Sequence, residues 1–275
     1  MELSGTNALL TGAAGGLGRY IARALAREGV NLALSDRPGA ELDPLLAEVR
    51  ELGVQADAVP AELTDREQRR GLLTRAEEQV GPLDLLVNNA GIEYGGPFLS
   101  NTPDELETIT AVNLTAVMEL TRQALPGMLE RRRGHVVNIA SIAGRIGFPF
   151  LVSYCATKHG LVGFTHALRA ELGSQPVGFS AICPGVVRRA GMFGRVEDKL
   201  PEIPSGVGGV EPEEVAAAVV RAAREGDAEV IVNDGPTRPF AALASVSPGT
   251  VASMIRRRSD LMEFGRRYSR IQGRL

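Results

Sequence analysis

Thr11-Gly12-Ala13-Ala14-Gly15-Gly16-Leu17-Gly18 is the stretch on which the fold turns. It follows an apolar run, NALLT at residues 7–11, and opens a helical pattern at residues 17–28 that Gly29 ends. An apolar strand, a glycine-rich turn and a helix, in that order, form the context in which a dinucleotide is bound. Glycines bring the backbone close to a pyrophosphate, and the helix N-terminus offers free N–H groups and partial positive charge. Asp36 follows the next apolar run, residues 30–35. A carboxylate there accepts hydrogen bonds from ribose hydroxyls and repels a 2′-phosphate, which favours NAD. Arg37 beside it can pair with a 2′-phosphate, so NADP stays open.

The same alternation continues outward. Helical patterns at residues 42–52, 64–79, 102–133, 153–172 and 212–225 are separated by apolar runs at 54–59, 83–88, 134–140, 177–183 and 228–233. Pro103 stands where a helix begins. Strand–helix alternation with right-handed crossovers predicts an α/β fold, a doubly wound parallel sheet of about seven strands. Nearly uncharged strands such as LDLLVN suit burial on both faces. We expect one dinucleotide-binding and catalytic domain over residues 1–235. A C-terminal extension, residues 236–275, would pack on it or on a partner subunit. The connection 188–210, broken by Pro201, Pro204 and Gly208-Gly209, is long enough to read as a functional loop.

Composition narrows the class. The chain has 275 residues and a net charge of −3 from 30 basic and 33 acidic groups, so no global field attracts nucleic acid. Two cysteines, Cys155 and Cys183, make no disulfide framework and have no metal-ligand spacing. With no basic export segment after Met1, they point to a cytoplasmic protein. His135, His159 and His166 form no ligand pattern and read as structural, so no metal is expected. The longest uncharged run, residues 239–255, is short for a membrane span and is interrupted by Pro248-Gly249.

Lysine is scarce: Lys158 and Lys199 are the only two among the 30 basic residues. One of them lies four residues after Tyr154, in Tyr-Cys-Ala-Thr-Lys. On a helix these two side chains share a face. An ammonium beside a phenol favours the phenolate, and a tyrosine so tuned moves a proton near neutral pH. Ser141 ends the strand at 134–140, on the edge where α/β proteins bind ligands, although a serine there also serves as a turn cap.

Taken together, Thr11-Gly12-x-x-x-Gly16-x-Gly18, Asn88-Asn89-Ala90-Gly91, Asn113, Ser141, Tyr154-x-x-x-Lys158 and Pro184-Gly185 resemble the short-chain dehydrogenase/reductases, in the non-extended branch. The resemblance covers about residues 3–235. It implies an NAD(P)-dependent oxidoreductase that interconverts a secondary alcohol and a ketone. Tyr154 would be the general acid/base. Lys158 would lower its pKa and hold the nicotinamide ribose, Ser141 would hold the substrate oxygen, and Asn113 would anchor a water relay toward Lys158. Gly12, Gly16, Leu17, Gly18, Asp36 and Arg37 would bind the adenosine diphosphate side, and Asn89, Ala90 and Gly91 would line it. Glu62 stands where an aspartate near the adenine is common, with Leu63 bracketing the ring. Pro184, Gly185 and Val187 would pass the nicotinamide. Arg188-Arg189 replace the region where a carboxamide-binding threonine is usual.

Met192 and Phe193, with the apolar part of the extension, suggest an apolar or lipid-like substrate. Residues 256–275 carry seven arginines against Asp260 and Glu263. Met254, Leu261 and Tyr268, flanked by Val251, Ile255 and Met262, suggest one amphipathic helix there. Such a helix would pack on the domain or a partner, cover the substrate, or lie on an anionic membrane. The resemblance implies a homodimer or homotetramer. The rival readings are an NADP-linked carbonyl or 3-oxoacyl reductase, and an NAD-binding scaffold or sensor without turnover.

Overall fold

The computed structural model describes residues 1–200, 202–204 and 206–275. Pro201, expected to help break the long connection, lies outside them. The glycine turn joins β1 (Asn7–Thr11) to α1 (Gly16–Arg27), and the alternation continues through β2 (Asn31–Ser35), α2 (Asp43–Glu51), β3 (Ala56–Ala58), α3 (Arg66–Val80) and β4 (Leu85–Asn88). The second half holds α4 (Pro103–Thr110), α5 (Ala116–Glu130), β5 (Gly134–Ile139), α6 (Val152–Leu172), β6 (Val177–Pro184), α8 (Pro212–Glu225) and β9 (Glu229–Val232). Between β6 and α8 lie β7 (Val186–Val187), the single turn α7 (Gly191–Gly194) and β8 (Gly209–Val210).

Seven strands form one parallel sheet in the order β3-β2-β1-β4-β5-β6-β9. Strand order reverses beside β1, so the chain leaves β1 and β4 toward opposite sides and opens a crevice at their C-terminal ends. The register keeps those ends level: Thr11 faces Ser35, Asn88 faces Asn138, and Ile139 faces Ile182. Each helix buries one stripe on the sheet. Ile21, Ala22 and Leu25 of α1 pack with Val215, Val219 and Ala222 of α8 on one face. Leu72 and Ala76 of α3 pack with Leu120, Ala124 and Met128 of α5 on the other.

Two expectations change. The continuous helix predicted over residues 102–133 is divided by a π-turn at Ala111–Thr115, with Asn113 at its middle, and ends at Glu130. A π-turn widens one coil of the helix and re-aims the side chains within it. The tail forms three helices, α9 (Thr237–Val246), α10 (Pro248–Arg257) and α11 (Ser259–Ile271), not one amphipathic helix. Arg258 takes an extended conformation between the last two, so the seven-residue spacing does not stay in phase. Val251, Ile255 and Tyr268 are buried, but Met254 is 46% exposed. Ala241, Val251 and Ile255 pack on Ile146 with Phe148, Phe240 and Leu261, so these helices sit on their own chain. Beside them β7 and β8 pair as a separate parallel ribbon that ties the connection 188–210 at both ends.

Candidate active site

The turn after β1 is shaped by what it cannot hold. Gly12 has a φ of 67°, in the left-handed region, and a Cβ there would lie 2.8 Å from the Ala90 Cα. At Gly18 a Cβ would lie 2.1 Å from the Gly12 carbonyl oxygen. Thr11 and Asn89 lock the turn to β4. The Thr11 Oγ1 accepts from the Asn89 and Ala90 N–H groups at 3.1 Å, and the Asn89 amide donates to the Thr11 and Gly12 carbonyls at 3.0 Å. No side chain caps the N-terminus of α1, whose N-cap is Gly15. That bare helix end and the cradle of glycines fit a pyrophosphate.

Asp36 is drawn inward. Its Oδ2 accepts from the Ala14 N–H at 2.9 Å and its Oδ1 from the Arg37 N–H at 2.8 Å. Arg19 and Arg37 line the cleft around it. Glu62 accepts from the Thr64 N–H and hydroxyl at 2.9 and 2.8 Å, and Leu63 is buried behind it.

At the C-terminal end of β5, Ser141 caps a short turn by accepting from the Ala143 N–H at 3.1 Å. Tyr154 and Lys158 lie on one face of α6, with the Lys158 Nζ 5.6 Å from the Tyr154 ring centre. Lys158 donates to the Ile139 carbonyl at 2.7 Å, and burial pushes its pKa down to about 8. Tyr154 departs from expectation. Burial raises its pKa above the ordinary phenol value, the Glu93 carboxyl adds to that, and a hydrogen bond with Ser141 opposes it. Desolvation of the anion outweighs the hydrogen bond from Ser141 that favours it.

These groups open into one cleft of about 1460 Å³. Every residue expected to hold cofactor or substrate lines it, from Gly12 and Gly16 through Leu17, Gly18, Glu62 and Gly91 to Pro184, Gly185 and Val187. Met192 and Phe193 line it as well. Asn113 does not. It is fully buried, accepts from the Ile92 N–H at 2.9 Å, and donates to the Ile92 carbonyl at 2.9 Å and the Thr157 hydroxyl at 3.2 Å. It pins the segment after β4 from behind.

The short chain dehydrogenase profile matches residues 6–201. The chain belongs to that family. Similar family members include the ketoacyl reductase HetN of a Nostoc species, 41% identical over 259 residues, covering 92% of this chain and 89% of that one. The 3-oxoacyl-[acyl-carrier-protein] reductase FabG of Staphylococcus aureus is 34% identical over 197 residues, covering 71% and 80%. Among solved structures, an actinorhodin polyketide ketoreductase variant crystallised with NADPH is 33% identical at a TM-score of 0.77, covering 86% of this chain and 99% of that one. This short-chain dehydrogenase/reductase is therefore an NAD(P)-dependent oxidoreductase acting on carbonyl groups. A match over 92% of the chain cannot leave out the whole of residues 236–275, so at least part of the tail is matched by HetN.

In this dehydrogenase the tail forms a wall of the cleft. Leu261, Phe264, Gly265 and Tyr268 of α11 line it. Phe264 stacks on Phe193 with ring centres 6.1 Å apart, tying the tail to the loop after β6. Tyr268 packs where a Cβ on Gly95 would lie, at 2.6 Å. Arg274 closes the wall on Glu105 of α4 at 2.8 Å and lies over the Tyr94 ring. Sequence reading did not single out Glu93, Tyr94, Arg195 or Phe264, and named Tyr268 only as part of an apolar stripe. The available signals were an acid two residues beyond the motif that ends β4, and two aromatics four apart on α11. Among the described residues no group of three or more His, Cys, Asp or Glu is placed to hold a metal, and no helix is long and apolar enough to cross a membrane.

Proposed function

We propose that this protein reduces the ketone of a 3-oxoacyl-type substrate to a secondary alcohol, preferring NADPH. The observation that carries the reading is the opening of Ser141, Tyr154 and Lys158 into the same cleft as the glycine turn, with Tyr154 held as a protonated phenol by its burial. The nicotinamide supplies the hydride when bound. Tyr154 gives the proton to the substrate oxygen, and Ser141 holds that oxygen as charge develops on it. Lys158, charged below a pKa of about 8, offsets the phenolate that remains. In this protonated form Tyr154 carries the proton that ketone reduction requires. Asn113 acts on this site by fixing Ile92.

The NAD preference expected from Asp36 lacks support, and two features favour NADP. The two oxygens of Asp36 already accept backbone N–H groups, and Arg19 and Arg37 both face the cleft there. A 2′-phosphate between two guanidiniums gains charge-assisted hydrogen bonds. The named relatives act on ketoacyl groups, and the structural relative was crystallised with NADPH. Residues 1–235 form the catalytic domain in this reading, with residues 236–275 completing its substrate wall.

Steady-state oxidation of NADPH and NADH with a 3-oxoacyl thioester tests it. NADPH should exceed NADH in kcat/KM by about tenfold or more, and Arg37→Ala should remove about tenfold of that preference. Faster turnover with NADH would restore Asp36 as the selector. Absence of ketone reduction with either cofactor would overturn the assignment.

A further inference from the structure

We propose that Glu93 is a specificity-determining residue whose carboxyl group hydrogen-bonds a second carbonyl oxygen of the substrate, the one that a 3-oxoacyl ester or thioester carries beside its ketone. The inference rests on the carbonyl-reductase reading above and extends it to the substrate class.

The position is built. Asn113 grips Ile92 through both its N–H and its carbonyl, each at 2.9 Å, so the residue after it cannot drift. Gly91 packs against the same group: a Cβ there would lie 3.5 Å from the Asn113 Oδ1 and 3.6 Å from the Lys158 Nζ. Glu93 is thus presented to the cleft immediately beside the Tyr154 cluster. Its chain neighbours Ile92 and Tyr94 pack, with Phe148, Leu151 and Met192, against the apolar cluster of Ile109, Ala143, Tyr154 and Cys155.

Among the described residues, no hydrogen bond offsets the burial of the carboxyl's Oε1. Other shielded carboxylates in this arginine-rich chain are paired: Glu105 with Arg274, Glu119 with Arg69, Glu229 with Arg145 and His166. An unpaired buried carboxyl is costly unless it keeps its proton or receives a ligand. The charged and titratable groups around it do not fill that role. Arg195, beyond α7, draws its pKa down at a distance, while Lys158 of α6 is engaged with Ile139 and Arg274 with Glu105. Tyr154 of α6 has its pKa raised by it, and Tyr94 and Tyr268 line the same cleft. Burial outweighs Arg195 and brings Glu93 up to about 7. Below that pH it carries a proton to donate, which a carbonyl oxygen accepts.

The test compares a 3-oxoacyl ester with a simple ketone of equal length, using NADPH and the full chain, from about pH 6 to about pH 8.5. Glu93→Leu should lower the ratio of kcat/KM, ester over simple ketone, by about tenfold or more. Glu93→Gln keeps a donor and should retain most of the ratio, while losing the fall that the unmodified enzyme shows above pH 7. A proportional loss on both substrates would mean that Glu93 only supports the fold, and would overturn the proposal. So would an unchanged ratio, or a preference for amino ketones that strengthens as pH rises. If the unmodified enzyme reduces neither ketone, the carbonyl-reductase reading falls. Calorimetric binding of the ester to the NADPH-loaded Tyr154→Phe protein, with and without Glu93→Leu, then decides Glu93 separately. Weaker binding on loss of the carboxyl upholds it, and equal or absent binding sinks it.

Discussion

Cutting the contact between Arg274 and Glu105 should loosen the substrate wall without disturbing the sheet. Arg274 donates to the Glu105 Oε2 at 2.8 Å and to its Oε1 through the other guanidinium nitrogen. It also reaches the Ser100 carbonyl at 3.1 Å and lies 5.6 Å from the centre of the Tyr94 ring. The two side chains are 18% and 21% exposed, so the pair is shielded but not dry. Fully exposed pairs contribute roughly 0–1 kcal/mol, and charge-assisted hydrogen bonds roughly 1.5–3. A two-pronged pair with partial solvent screening should fall at about 1–2 kcal/mol.

A double-mutant cycle reads this coupling directly. Arg274→Met keeps an unbranched stem, and Glu105→Gln keeps the acceptor that the capping box at Thr102 needs. Urea unfolding at pH 7 should give a coupling of about 1–2 kcal/mol, with Arg274→Met lowering Tm by about 2–6 °C. The Arg274 guanidinium holds the Glu105 pKa near 2, down from 4.5. A carboxyl lowered in this way contributes stability above its unfolded value and loses it as pH falls toward the folded one. The coupling should therefore hold from pH 7 to about pH 5 and decline below. Because Tyr94 and Tyr268 both line the cleft, KM for the ketone should rise more than kcat falls. Additivity of the two substitutions within about 0.5 kcal/mol would refute the reasoning.

Two further outcomes follow from the same geometry. Helix propensity alone would make Gly18→Ala stabilising by about 1 kcal/mol, but its Cβ would meet backbone atoms of Gly12 and Ala13 at 2.1 and 2.8 Å. Overpacking should win, with a loss of about 1–3 kcal/mol and at least tenfold weaker NADPH binding, and a variant matching the parent in both melting and titration would contradict it. Lys158→Met should abolish most turnover without lowering Tm. Burial holds the folded pKa near 8 against 10.5, so the ammonium costs on the order of 3 kcal/mol below pH 8, and that cost fades as pH rises toward 10.5. Losing the bond to the Ile139 carbonyl offsets about 1–3 kcal/mol of the gain, so a Tm drop beyond about 5 °C would count against the assignment.

Local chemistry made the sheet and the cleft legible in the residues. Glycines at 12, 16 and 18, apolar runs and a Tyr–Lys pair at helical spacing each state their requirement within a few positions. That is why the strands emerged within a few residues of their bounds, with every proposed cofactor residue on one cleft. What stayed hidden depends on distant partners. Met254, Leu261 and Tyr268 look like one stripe because spacing alone cannot show that Arg258 interrupts the helix. The selector role of Asp36 looked simple because its carboxylate was imagined facing ribose, whereas the fold brings Ala14 within 2.9 Å of it.

The same distinction governs Tyr154. From the sequence, the neighbour that counts is Lys158, four residues away, and it argues for an ionised phenol. In the folded chain the tail, the segment after β4 and the loop after β6 all line the cleft that Tyr154 lines. Together they remove the water that an anion needs and bring the Glu93 carboxyl near. Proton affinity at this site is therefore set less by the motif than by elements contributed from across the chain. A tail that shields the cleft thus affects both substrate fit and the proton affinity of Tyr154. Opening that wall, as Arg274→Met would, should lower the Tyr154 pKa toward its ordinary value as well as admit bulkier ketones.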